Sequence, residues 1–464
     1  MLGCGRPAKT CGRPVTRCAE LVEPGSWAHS DRFVPRAFVR PFLRFAQVEA
    51  SSGLVLVAAA ASALLWANFA FDSYQSFFGT RFLLEMGPLH IDETLQQVIN
   101  DGLMALFFFV VGLEIKRELV AGELADPRKA MLPAVGALGG MIVPALIYLL
   151  IAGTGGEAGR GWGIPMATDI AFAVGVMSLL GRRAPDGAKL FLLTLAIADD
   201  IGAIAVIALF YTDTFNAAWL GVALVGLLAV WGASRVGIRS MSFYLPAALV
   251  VWLATLESGV HATLAGVALG LLTPARPHYP LEVVHKAGRD LISRLESEDD
   301  DVIERERADY QLLALSEVAR ESVAPLARIE HRLGLWASYF VVPLFALANA
   351  GIHFGDTSIW SAVLRPVGLG VGLGLVVGKL VGITLFTTAA VRIGWGRLPS
   401  GMNGRHLLGV SILAGIGFTV ALFIVGLAFV DPELIAEAKV GIFAASIVAG
   451  VGGYLVLRSS RPSS

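Results

Sequence analysis

FLLTLAIADDIGAIAVIALF, residues 191–210, sets two adjacent carboxylates, Asp199 and Asp200, in the middle of an apolar run. No other acidic or basic residue lies between Lys189 and Asp213. Were the pair a loop, each flanking piece would hold about eleven residues, whereas a helix needs about twenty to cross a bilayer. The stretch therefore reads as one membrane-length helix with acids near its centre. An ionisable side chain there costs about 2.5–3.5 kcal/mol on insertion scales, which marks the pair as functional. Neighbouring helical positions point about 100° apart, so one carboxylate can face a cavity while the other meets a partner helix.

The rest of the chain agrees with a membrane setting. Of 464 residues, 55% are hydrophobic and 16% charged, too few charges to coat a soluble globule of two or three domains. Glycine, at 52 residues, exceeds the usual ~7% and suits helices that approach closely in lipid. Apolar runs recur near 48–71, 95–120, 130–152, 164–181, 188–212, 216–234, 241–256, 258–274, 334–352, 364–391, 406–430 and 433–457. The expected fold is an all-α polytopic membrane protein of about 12 transmembrane helices. Cys4, Cys11 and Cys18 match no zinc or disulfide spacing, and the eight histidines form no HExxH pair, so no cofactor or catalytic metal is expected. The net charge of −1 says nothing about a partner; the expected surroundings are membrane lipid, with no nucleic acid.

Residues 1–46 are basic and lack an apolar core that could serve as a cleaved signal peptide. Membrane segments are expected over 47–275 and 331–457, with a charged loop at 276–330 and a short tail at 458–464. Segment 76–94 alternates apolar and polar residues around Gly87-Pro88, the pattern of a β-hairpin. With the first tail placed inside, alternating loops collect Lys116, Arg117, Arg128, Lys129, Arg182, Arg183, Lys189, Arg235, Arg239, Arg392, Arg397 and Arg405 on one side. The other side holds only Arg81, Arg160 and Arg365 among many acids. That asymmetry predicts cytoplasmic termini and an even number of spans.

Other charges also stand where charge is costly. Thr168 and Asp169 follow Pro165 in GIPMATDIAFAVGV, a set of oxygen donors that suits a hard cation but also resembles an ordinary helix start. Lys379 stands alone between Arg365 and Arg392 in a glycine-rich run. A phosphate loop fails there, because Leu373 takes the place of the required glycine and Leu380 follows the lysine. The lysine is expected to neutralise a carboxylate or helix C-terminal dipoles, with snorkelling as the alternative. Asp101 and Glu114 lie in the second run, His261 in SGVHATLAGVALG, and Glu330-His331 just before the ninth run.

The strings ATDIAFAVG, LAIADDIGAIAVIALFYT, SGVHATLAGV, PLFALANAG, GIGFTVALFI and DPELIAEAK closely resemble the NhaA sodium/proton antiporters, in order from about 48 to 457. The resemblance implies an inner-membrane transporter, not an enzyme, with inverted repeats and two interrupted helices. The candidate interruptions are ATDIA at 167–171 and AGIGFT at 414–419. It further implies that Asp200 is the central Na+ ligand and Asp199 its neighbour, salt-bridged to Lys379, with Thr168 and Asp169 completing the region. Glu114, Glu330 and His331 match a pH-sensing cluster, with His261 a further pH-sensing candidate. The hairpin implies a homodimer contact. Gly334-Leu335 replaces a His-Pro pair common in the family, and 276–330 is longer than usual.

The implied activity is electrogenic, pH-regulated exchange of Na+, and of Li+, for H+, in which both ions compete for the aspartate pair under alternating access. An intramembrane aspartyl protease would need Tyr-Asp and Gly-x-Gly-Asp contexts that are missing. A sodium-coupled symporter of another solute stays open on residues alone.

Overall fold

The computed structural model describes residues 51–460, apart from 87–88, 213–214, 239–240, 296–301 and 354–358. The basic tail with its cysteines, part of the acidic run near 296–309, and residues 461–464 lie outside the described residues. In lipid every backbone polar group must find an internal partner, so the apolar runs wind into helices. They are α1 (Ser51–Phe69), α2 (Leu95–Ala121), α3 (Pro127–Ala152), α4 (Ile170–Ser178), α5 (Asp186–Phe210), α6 (Ala217–Val236), α7 (Met241–Glu257) and α8 (Thr263–Leu272). After α9 (Leu281–Leu295) and α10 (Val302–Glu321) come α11 (Pro325–Asn349), α12 (Pro366–Ile393), α13 (Gly404–Leu413), α14 (Phe418–Ala428) and α15 (Pro432–Arg458).

Among the described residues, eight helices are long and apolar enough to cross a membrane, or nine if the bent pair α13 and α14 counts as one span. The runs at 164–181 and 258–274 contain only the nine-residue α4 and the ten-residue α8, the first at the interruption expected at 167–171, and the 17-residue α7 of run 241–256 is also short of a span. In the first, Pro165 and the capping Asp169 interrupt the winding; in the second, Gly259 turns the chain at φ 79°. Helix α11 begins ahead of its apolar run, so Glu330 and His331 lie inside it rather than before it.

Glycines carry the tightest crossings. A Cβ on Gly382 of α12 would come 2.1 Å from the Gly139 carbonyl of α3, and one on Gly266 of α8 would come 2.1 Å from the Ala105 carbonyl of α2. Glycines 368–382 thus lie within a packed helix, which disposes of the phosphate-loop reading. Short π turns interrupt α2 at Ile99–Leu103, α11 at Ala337–Val341 and α12 at Gly374–Gly378.

Strands β1 (Arg81–Met86) and β2 (Leu89–Thr94) pair antiparallel, Arg81 opposite Thr94 and Met86 opposite Leu89, with Arg81 bridged to Asp92 at 3.1 Å. The described residues of segment 276–330 are largely helical. Its base is closed by His278 N–H donating to the Glu321 carbonyl (3.0 Å) and Leu326 N–H to the Pro274 carbonyl (3.2 Å).

Candidate functional site

Two interruptions meet beside the middle of α5. The first lies between a 3-10 turn, Arg160–Met166, and α4. Pro165 has no N–H for a continued helix, and Asp169 ends the extended stretch by accepting from Phe172 N–H at 3.0 Å, an N-cap. The second lies between Leu413 and Phe418, where α13 and α14 diverge by 45°. The breaks bond to each other: Asp169 N–H donates to the Ile416 carbonyl (2.6 Å), while Thr419 donates from N–H (3.1 Å) and hydroxyl (2.6 Å) to Asp169 Oδ2. A single buried carboxylate thus faces the N-termini of both α4 and α14, where helix dipoles concentrate positive potential.

Lys379 faces the opposite polarity. The π turn at Gly374–Gly378 immediately precedes it, and its fully buried ammonium donates to the Asp199 carboxylate, the Met166 carbonyl and the Thr168 hydroxyl (3.1 Å). All three ammonium donors therefore have acceptors, and snorkelling is ruled out. Thr168 Oγ1 stands 2.7 Å from Asp199 Oδ2 and 2.8 Å from the Ala414 carbonyl, two acceptors for one hydroxyl proton.

The two aspartates of α5 are 0% and 5% exposed. Asp199 Oδ1 and Asp200 Oδ1 are buried and accept no hydrogen bond from the described residues. An ionised carboxylate oxygen in that condition is costly, so it calls for a proton or a cation, and hard cations favour oxygen ligands. Asp199, Asp200, Thr168, Asp169 and Lys379, separate in sequence, are thus brought into one buried site.

The remaining candidates divide. Glu114 stands within electrostatic reach of both Asp200 and Glu330. Arg117 pairs with Glu330 and lies 3.6 Å from Glu118, and exposed His331 follows Glu330 on α11. His261 is not brought into this cluster. Its Nε2 lies 2.8 Å from the Tyr211 carbonyl, at the far end of α5 from Lys189. Helix α8 runs parallel to α2, Gly266 against Ala105 and Gly270 against Gly112, which puts His261 about 20 Å from Glu114 at 1.5 Å per residue. Sequence reading missed Thr419, although a hydroxyl directly after AGIGF at a candidate break was a usable signal. It also missed the Met166, Ala414 and Ile416 carbonyls, which no side-chain pattern reveals.

The family model described as Na+/H+ antiporter 1 matches residues 43–457. A Na(+)/H(+) antiporter NhaA of Oleidesulfovibrio alaskensis is 44% identical over 422 residues, 90% of this chain and 93% of that protein. The chain belongs to the NhaA family of Na+/H+ antiporters. Other NhaA proteins agree: that of Koribacter versatilis is 45% identical over 90% of this chain and 91% of its own length. That of Rhodopirellula baltica is 44% identical over 92% and 95%. Membership in NhaA, with the apolar helices, makes this a multi-pass membrane transporter rather than a catalyst of covalent chemistry.

Proposed function

We propose that this NhaA protein exports Na+, and Li+, in exchange for H+, using Asp199 and Asp200 of α5 as the shared site. The observation that carries the proposal is the pair of buried carboxylate oxygens without a protein donor, set beside Lys379 and Thr168. Burial opposes ionisation of a carboxylate and a nearby cation favours it, so the pair titrates as a coupled unit. Sodium binding expels protons, and protonation expels sodium. Asp200 acts as the central ligand, while Asp199 alternates between Lys379 and the ion.

Alternating access about the crossed interruptions releases each ion on the opposite side. Asp169 and Lys379 hold the facing helix ends while that happens. Two acids can release more protons than one sodium replaces in charge, so exchange is electrogenic and an inward proton gradient drives sodium out. Glu114, Glu330 and His331 form the pH-responsive group, linked to Asp200 through Glu114. The protein works in an inner membrane with cytoplasmic termini, as a homodimer joined through the hairpin at 81–94.

The test is sodium-induced dequenching of a pH dye in everted vesicles, wild type against Asp200→Asn from pH 6 to 9. A response present in wild type and lost in the variant is expected. Retained exchange in the variant overturns the site assignment.

A further inference from the structure

The interrupted segment that carries Thr168 is held at its start by one side chain of α5's own end. Tyr211, which caps the C-terminus of α5 and is 3% exposed, donates its hydroxyl to the Arg160 carbonyl at 2.6 Å. The same oxygen accepts from Gly163 N–H at 3.2 Å. Residues 160 and 163 are the i and i+3 partners that a 3-10 turn joins directly, so the phenol oxygen bridges the very pair that defines the winding. The fit is close: a Cβ on Gly163 would lie 2.7 Å from the hydroxyl oxygen. Trp162 packs edge-on against Phe210 at 5.1 Å, a second contact between the turn and the end of α5.

The winding decides how far the segment reaches. A 3-10 helix rises about 2.0 Å per residue and an α-helix about 1.5 Å, so rewinding Arg160–Met166 would shorten it by about 3 Å. Met166 offers its carbonyl to Lys379, and Thr168, two residues on, offers its hydroxyl to Asp199 at 2.7 Å. A 3 Å withdrawal would break these contacts.

We propose that Tyr211 is a positioning residue for sodium binding: its hydroxyl keeps Arg160–Met166 wound as a 3-10 turn and so holds Met166 and Thr168 at the depth of the aspartate pair. The inference rests on the aspartate site described above. Tyr211 thereby ties α5 to the interrupted segment at a second point, far along the helix from the Thr168–Asp199 contact. Tyr148 is the natural comparison. Its hydroxyl packs against Gly161 within the turn, but the carbonyl it holds, that of Ala158 at 2.6 Å, lies before the turn, so it bridges no i and i+3 pair within it.

The experiment measures apparent KM and Vmax for sodium in everted vesicles, with membrane insertion and thermal stability in detergent checked for each variant. Tyr211→Phe is expected to raise KM roughly ten-fold, the scale of one lost buried hydrogen bond, with Vmax at saturating sodium retained. Gly163→Ala, which presses on the same hydroxyl, is expected to raise KM similarly. Tyr148→Phe is expected to leave KM unchanged. An unchanged KM in Tyr211→Phe, an equal rise in Tyr148→Phe, or a fall in Vmax at constant KM overturns the proposal. If Tyr211→Phe fails to insert, Gly163→Ala against Tyr148→Phe decides by the same criterion. Asp200→Asn, run in parallel, separates the two readings: retained exchange there defeats the aspartate site itself.

Discussion

Removing the charge of Lys379 tests how the buried pair is held. In Lys379→Met the Asp199 carboxylate keeps only the Thr168 hydroxyl, whose proton is shared with the Ala414 carbonyl, and the Met166 carbonyl loses its donor. Both charged groups are 0% exposed, so water cannot replace what is lost. Stripping one partner from a buried ion pair costs about 3–5 kcal/mol, and the orphaned carbonyl adds about 1 kcal/mol. Asp199→Asn, which leaves the ammonium with two of its acceptors, is expected to cost about 3 kcal/mol. The double variant strands no charge, so its cost is expected to fall about 2–3 kcal/mol short of the sum of the singles. Equilibrium unfolding in mixed SDS and dodecylmaltoside micelles, followed by tryptophan fluorescence, measures all three. Additivity to within about 0.5 kcal/mol would refute the reasoning, because it would mean that the two groups do not neutralise each other.

Thr168→Ser is expected to keep exchange near wild type and Thr168→Val to lose it, as the hydroxyl and not the methyl meets Asp199 and Lys379; sodium-dependent dye dequenching distinguishes them. Gly382→Ala is expected to sharply reduce folded protein, since its Cβ would lie 2.1 Å from the Gly139 carbonyl with only backbone to give way; size-exclusion yield reads this. Glu157, in the turn Gly156–Gly159, accepts from the N–H groups of Val430 and Asp431, and these hold its carboxyl below the ordinary value of 4.5. Its clasp is therefore fully present above pH 4.5 and lost as pH falls through the depressed value. Hydrogen-exchange protection of the 430–431 amides is expected to drop at strongly acid pH, and at all pH in Glu157→Ala.

Much was legible in the chain because the bilayer leaves few choices. A central acid pair in an apolar run can only be a helix carrying a costly group, and α5 spans Asp186–Phe210 with both aspartates buried near its middle. Lys379 was legible for the same reason, as a lone cation with no solvent to meet. Glycine excess announced close crossings without saying which. The break at Pro165–Asp169 was expected at 167–171 from the resemblance, whereas the short helix in 258–274 was not, because hydropathy counts apolar residues and does not register where hydrogen bonding breaks, as it does around Gly259.

By itself, then, the sequence determined the membrane setting, the identity of the costly side chains and the helix that bears the aspartates, since those follow from local transfer energies and length. Only the tertiary structure decided who neutralises whom. That Asp169 caps two helices, that Lys379 spends its third donor on a backbone carbonyl, that His261 stands apart from Glu114, and that Tyr211 grips a 3-10 turn all depend on crossings between segments far apart in the chain. Electrostatic and hydrogen-bond partnerships act over a few ångströms in space, and sequence distance carries no record of them.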